Sequence, residues 1–512
     1  MPISSSRKWG TLVIACLVAM IPNLDMTALN LAIPNLSHAL HPSATQILWI
    51  ADAYGFALAA LLVTMGGIGD RIGHKRLLLI GTVGFAAASA LTAFTPNAEL
   101  LIAARALLGV AGATLMPSAL SLIRRVFTEP KERTSAIGIF SAVGGLAVGL
   151  GPVLGGALLT HFWWGAVFLI NVPIMAVAFV AGLVLLPEAR GPRLGRLDLL
   201  SVPLSAVGVL GIVYGVKEAA LYGLAEAHVV ISVSVGVAGL VAFLVRQARV
   251  ADPLIDVGLF RRAAFTGSIS TNLFAMFALV AQSLIFSQYF QLVLGWTPLT
   301  SGLAGLPAAL SSMVGGGVLA PVLINALGRA RAVATGLFVA AAAYALFLLA
   351  GVESNYPLLL IPMILSGVAM GLALTITGDT VLASVPKERS GAASAISETA
   401  TELGGALGMA VLGSILNAVY RRTLEAPPGL TAGARSAAGD SLGAALQLAT
   451  GLPGPLASRL TAAARDAFVN GMHVALLGSA GFAALVAVAA LVTLRHVPKV
   501  IPADDDRELA AV

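Results

Sequence analysis

Apolar runs of about 20 residues recur along the whole of this chain. Each is long enough to cross a hydrocarbon core ~30 Å thick as a helix. Fourteen such runs fall near 10–33, 47–67, 77–95, 100–123, 134–159, 167–186, 198–217, 228–246, 266–290, 301–324, 331–350, 357–382, 391–417 and 468–494. A backbone inside a bilayer must satisfy its own hydrogen bonds, so the expected fold is an all-α polytopic membrane protein. Only 11% of residues are charged and 58% are hydrophobic, whereas a soluble domain carries roughly 25% charged residues. The net charge of +6 does not imply nucleic acid, because the cations lie in short clusters between the apolar runs.

Those clusters alternate. Arg71, Lys75 and Arg76 follow run two, and Arg124, Arg125, Lys131 and Arg133 follow run four. Arg190, Arg193 and Arg196 follow run six, and Arg246, Arg249, Arg261 and Arg262 follow run eight. Arg329 and Arg331, then Lys387 and Arg389, continue the series, while loops 35–46, 96–99 and 291–300 hold no Lys or Arg. The positive-inside rule then places both termini in the cytoplasm, which needs an even number of spans. The first run carries Asp25 and lacks a cleavage site, so it is expected to be retained as helix one rather than removed as a signal peptide. Cys16 is the lone cysteine, which excludes a disulfide framework within one chain. A longer outer loop, 418–467, has two amphipathic stretches, 441–448 and 456–468, around a Gly-Leu-Pro-Gly-Pro break, and predicts a helical hairpin outside the membrane.

The chain also repeats itself. Pro130-Lys131-Glu132-Arg133 before run five returns as Pro386-Lys387-Glu388-Arg389 before run thirteen. The segment from Asp70 after run two is echoed after run ten, with Asn325 in the place of Asp70. Runs one to six therefore match runs nine to fourteen, with seven and eight inserted. The expected organisation is a six-helix bundle over 1–190, two linker helices over 191–262, and a second six-helix bundle over 263–512. Parallel duplication around a central site is the geometry of alternating access by rocking of two bundles.

Particular residues carry a family resemblance. Gly66-x-x-x-Asp70-Arg71-x-Gly73-x-Lys75-Arg76 resembles the loop signature of the major facilitator superfamily. Gly66 would let helices approach closely, and Asp70 would face the positive end of a neighbouring helix and a nearby cation, latching one access state. Gly145-x-x-x-Gly149-x-Gly151-Pro152-x-x-Gly155-Gly156 resembles the signature of that superfamily's antiporters. Its flat glycine face and the bend at Pro152 would let the opposing half press against run five and seal it against protons. Segments Leu24–Pro34 and Trp163–Pro173 are similar to the fourteen-span drug:proton antiporters, and among these to QacA/SmvA-type exporters of quaternary ammonium compounds. The resemblance covers the whole chain. It implies a bacterial cytoplasmic (inner) membrane protein, working as a monomer, that exchanges lipophilic mono- and dicationic compounds for protons. It implies no cofactor beyond the coupling proton. A proton-coupled importer on the same fold, or a membrane enzyme, is the alternative, but no catalytic constellation, metal motif or phosphate-binding loop is present.

Ionisable residues inside a bilayer cost several kcal/mol unless they face water or a partner, so they mark function. Asp25, Asp52, Arg105, Asp379, Glu398 and Glu402 qualify. Glu398 and Glu402 are four apart and share a helical face; their repeat-mates are Ala142 and Leu146. Two carboxylates so close in a low-dielectric cavity raise each other's pKa through desolvation and like-charge repulsion, so at least one is expected to hold a proton near neutral pH and release it to an arriving cation; structural hydrogen bonding by protonated glutamates is the other reading. Asp25 is the second proton or cation candidate. Arg105, in a pattern similar to the family's span-four signature, cannot deprotonate, and Asp25 is its expected partner. Asp52 either draws cations at the outer vestibule or is simply wetted there, and Asp379 is expected to be a solvated cytoplasmic acid. Tyr54, Phe286 and Tyr289 are candidate aromatic contacts for the cation, and the histidines are expected at the surface.

Overall fold

The computed structural model describes residues 5–187, 198–223, 226–250, 252–353, 355–499 and 501. No strand occurs among them. The chain opens with α1 (Ser5–Leu40), α2 (Ala44–Ile72), α3 (His74–Ala93), α4 (Ala98–Val126) and α5 (Pro130–His161). The sixth span is broken into α6 (Ala166–Leu169) and α7 (Asn171–Leu185), just ahead of Pro173, which has no N–H to donate back into the preceding turn. Two further helices are α8 (Ser201–Tyr222) and α9 (Ala227–Gln247). The second half comprises α10 (Ala263–Gln288), α11 (Pro298–Met313), α12 (Ala320–Leu327), α13 (Arg329–Leu346), α14 (Tyr356–Ala383) and α15 (Ser390–Thr423). It closes with α16 (Ala432–Asp440), α17 (Leu442–Ala449) and α18 (Gly454–Thr493). A π-helical turn, Val314–Leu319, joins α11 to α12 and absorbs the hydrogen bond that Pro321 cannot make.

Thirteen helical segments among the described residues are long and apolar enough to cross a membrane. The remaining expected span is α5, a continuous helix of 32 residues. Large apolar side chains such as Val184, Ile231, Leu485 and Val492 are exposed around the outside. That would be a liability in water; against lipid tails it has no cost.

Helices α1 to α7 form one bundle, in which α1 packs on α5 and α4 packs on α2 and α3. Helices α10 to α15 with α18 form the other, in which α10 packs on α15 and α13 on α14 and α18. The halves meet along two seams, α2 against α15 and α5 against α11 and the π turn. Each seam joins the second helix of one half to the fifth of the other, as a pseudo-twofold relation of the repeats requires. The boundary expected at residue 190 and the arginines 190, 193 and 196 lie outside the described residues. The inserted helices α8 and α9 pack on each other, and α8 touches both α2 and α15. Their ends are clamped where Arg246 donates to both oxygens of Asp198 at 2.5 and 2.8 Å. That guanidinium, with help from Ser201, holds the Asp198 carboxyl well below the usual carboxylate range.

The outer loop is a folded cap rather than a free hairpin. Leu442, Ala445 and Ala449 of α17 are buried against the second bundle. The Tyr420 hydroxyl donates to the Ala438 carbonyl at 2.9 Å. The expected second arm, 456–468, is the start of α18, a single helix of 40 residues. No proline interrupts 456–493, so the helix that crosses the bilayer extends beyond it.

Candidate functional site

Asp25 of α1 and Arg105 of α4 form an ion pair inside the first bundle, as the sequence suggested. They are 1% and 0% exposed. Gly109 makes this possible from below: a Cβ there would stand 2.3 Å from the Tyr54 carbonyl oxygen, so only glycine lets α4 lie so close to α2. Arg105 also donates from Nε to the Ile50 carbonyl at 3.2 Å, and its guanidinium lies 5.0 Å from the Tyr54 ring centroid. Asn171, at the break between α6 and α7, donates to Asp25 at 3.2 Å and to Ser89 at 2.9 Å. Asp25 therefore has no direct contact with a cavity. The buried Tyr54 hydroxyl has no hydrogen-bond partner among the described residues.

Glu398 and Glu402 lie in the N-terminal half of α15. Gly404 and Gly408 press one face of that helix on the α10 backbone. Asn272 of α10 donates to the Thr401 hydroxyl at 2.9 Å, which sets the rotation of the turn carrying both acids. The two carboxylates interact electrostatically, and Glu402 is within reach of Tyr54 and of Lys217. Glu402 is exposed and Glu398 is half-buried. Since an ionisable group facing lipid at this depth would be costly, the seam side is where it belongs.

Asp52 has a partner that the sequence reading missed. Lys217 of α8 forms an ion pair with it and sits 4.9 Å from the Phe56 ring centroid. The available signal was a single lysine at the end of run seven.

At the end of the bundle that carries the basic clusters, contacts cross between the halves. Asp70 accepts from the backbone N–H groups of Gly391 and Ala392 at 2.9 and 3.0 Å, so it caps the N-terminus of α15 as expected. The nearby side chain is His74, 2.9 Å away. His74 is 2% exposed, which corrects its placement at the surface; His38, His41, His161 and His496 are exposed. At Gly66 a Cβ would stand 2.4 Å from the Gly391 carbonyl oxygen, so this glycine is needed for the cap to close. Gly73 adopts φ +98, a conformation side chains disfavour. Lys75 donates to the carbonyls of Leu183 and Leu186 at 3.1 and 2.9 Å, Arg71 donates to those of Gly67 and Asp252 at 2.9 and 3.1 Å, and Arg76 is exposed.

Asp379 is a correction. It is fully buried, 2.7 Å from Arg133 of α5 and 2.7 Å from Arg329 of α13, because the two halves close over the end of α14. Thus one carboxylate joins both bundles. Asp379→Ala strands buried cations and is expected to destabilise the protein by about 3–5 kcal/mol, read as a lowered unfolding midpoint in detergent; an unmoved midpoint would contradict this role.

Two further expectations change. Along α5 the opposing half presses at Gly138, where a Cβ would stand 2.3 Å from the Gly316 backbone. By contrast, Gly151 and Gly155 are turned toward Thr27 and Ala28 of α1, and Gly145 and Gly156 have open space where a Cβ would stand. Gly151 and Gly155 thus serve packing within the first bundle; the side-chain surroundings of Gly149 and Pro152 lie outside what the structure describes. Phe286 and Tyr289 are buried in the second bundle's core, where Phe286 meets Phe347 at a centroid distance of 4.3 Å and the Tyr289 hydroxyl donates to Gly351 at 2.6 Å. They belong to that core rather than to the acids; Tyr54 alone of the three aromatics lies beside them.

Two pseudo-equivalent bundles meeting along paired seams are the architecture of a membrane transporter, and the family and its relatives support that class. The chain belongs to the major facilitator superfamily: the model described as Major Facilitator Superfamily matches residues 15–409. It is similar to the multidrug efflux pump LfrA of Mycolicibacterium smegmatis, at 44% identity over 91% of this chain and 92% of that protein. It is similar to the methyl viologen resistance protein SmvA of Salmonella typhimurium, at 35% identity over 94% and 97%. The tetracenomycin C resistance and export protein of Streptomyces glaucescens is 30% identical over 96% and 93%. The human organic anion transporter MFSD10 shares the fold, with a TM-score of 0.61 at 14% identity over 94% of this chain and 99% of that one.

Proposed function

We propose that this protein exports lipophilic mono- and dicationic compounds across a bacterial cytoplasmic membrane in exchange for protons. Quaternary ammonium compounds, cationic dyes and biguanide-like antiseptics are the substrate class. The observation that carries the reading is the Glu398–Glu402 pair, set in the N-terminal half of α15, the helix that packs on α2 at the seam between halves. The names of LfrA and SmvA, an efflux pump and a methyl viologen resistance protein, support it. The basic end faces the cytoplasm, with both termini there, and rocking about the seams exposes the acids to one side at a time. A proton or an organic cation neutralises them, and full occupancy by both is excluded. Asp25 and Arg105 act from within the first bundle, with Tyr54 beside that pair. Both halves of the site come from one chain, so a monomer suffices.

The test compares ethidium efflux by wild type, Glu398→Gln, Glu402→Gln and Asp25→Asn, with and without a protonophore. Wild-type efflux is expected to stop with protonophore, and the glutamate variants to lose most of it. In everted vesicles, adding ethidium should collapse an inward proton gradient. Equal efflux with the gradient dissipated, or with both glutamates neutralised, would remove the proposal.

A further inference from the structure

The inserted helices have no counterpart in the repeat, yet α8 lies on the seam and places a charge there. The Lys217 ammonium is paired with Asp52, sits over the Phe56 ring and is within electrostatic reach of Glu402. Phe56 is flanked by Trp49 and Tyr214, with ring centroids at 5.9 and 6.0 Å. A carboxylate and an aromatic face around a positively charged nitrogen form the kind of arrangement that binds an organic ammonium ion. Here the chain fills it with its own cation. The side chains of Lys217 and Asp52 are 28% and 33% exposed, so the pair is open to an incoming group rather than sealed.

We propose that Asp52, Phe56 and Glu402 form an organic-cation subsite on the seam, that Lys217 is its tethered occupant, and that this lysine sets the ranking of mono- against dicationic ligands. The inference rests on the efflux reading above. A ligand that enters displaces the ammonium from Phe56 and shares Glu402 with it. Each positive charge on the ligand is repelled by Lys217, so the lysine penalises a dication more than a monocation. Coulomb energy scales with ligand charge, so the factor by which removal of the lysine tightens a monocation is about squared for a dication.

Ethidium and propidium carry one phenanthridinium ring, and propidium adds a second cationic centre; phenanthridine is a neutral control. Binding is titrated by fluorescence to the full-length protein in nanodiscs at fixed salt. Lys217→Met is expected to tighten ethidium about threefold and propidium about tenfold, leaving phenanthridine unchanged. Lys217→Arg should restore wild-type values, and Asp52→Asn should weaken both cations. Lys217→Gln gives the same comparison should the Met variant fail to fold. Equal factors for all three ligands, or no change for the two dyes, would overturn the inference while the efflux reading stands. Wild-type protein that binds neither dye would defeat the efflux reading itself, and this inference with it.

Discussion

Arg105→Ala is expected to abolish ethidium-dependent proton release and to lower stability by about 3–5 kcal/mol, the range for removing one partner of a buried pair. Asp25 would be left enclosed by Asn171 and the first bundle, with no cation to balance it. An unbalanced acid enclosed in this way costs stability and can no longer act as one half of an ion pair when an organic cation reaches the seam. Arg105→Lys keeps a charge but not the planar fork that serves Asp25 and the Ile50 carbonyl together, so it should rescue folding more fully than coupling. Proton release is read with a pH dye in everted vesicles, and stability as an unfolding midpoint. Unchanged coupling in Arg105→Ala would remove the first-bundle ion pair from the mechanism.

The second large effect is expected at Gly138. A leucine there would run into the backbone of Gly316 and Gly317, atoms that cannot step aside as a side-chain tip can. The seam between α5 and the π turn must then open at the basic end. Transport should fall to background, and access from that end should rise. In a Cys16→Ser background, Ile137→Cys is a suitable reporter, since Ile137 is buried beside Gly378 of α14. Labelling by an impermeant maleimide in everted vesicles is expected to rise at least roughly tenfold in Gly138→Leu, a shift of about 1.4 kcal/mol in the closed-to-open balance. Labelling and transport both equal to wild type would show that this contact does not hold the end shut.

Much of this was legible in the chain. Span length, the alternation of basic loops and the 130–133/386–389 repeat carry the two-bundle plan, because each depends on local composition and order. The Asp70 cap and the Asp25–Arg105 pair were also readable. A lone acid at a helix end needs a partial positive charge, and a buried arginine needs a carboxylate. Where the reading failed, local text was ambiguous. Asp379 sits near a helix end and reads as wetted, until the closing of two halves covers it with Arg133 and Arg329. The glycine face of α5 reads as an interface but does not say whose: α1 or the opposing bundle. Phe286 and Tyr289 have the chemistry for a cation but lie inside the second bundle.

By itself, then, the sequence determined how many times the chain can cross a bilayer, which loops share a side, that the halves are related, and which ionisable groups need partners. Those properties follow from hydropathy and spacing along one dimension. Only the tertiary structure decided which partners two of those groups have: Lys217 for Asp52, and Arg133 and Arg329 for Asp379. The physical reason is that a buried charge is stabilised by whatever lies within a few ångströms in space, and α8, α13 and α5 bring those residues from far along the chain.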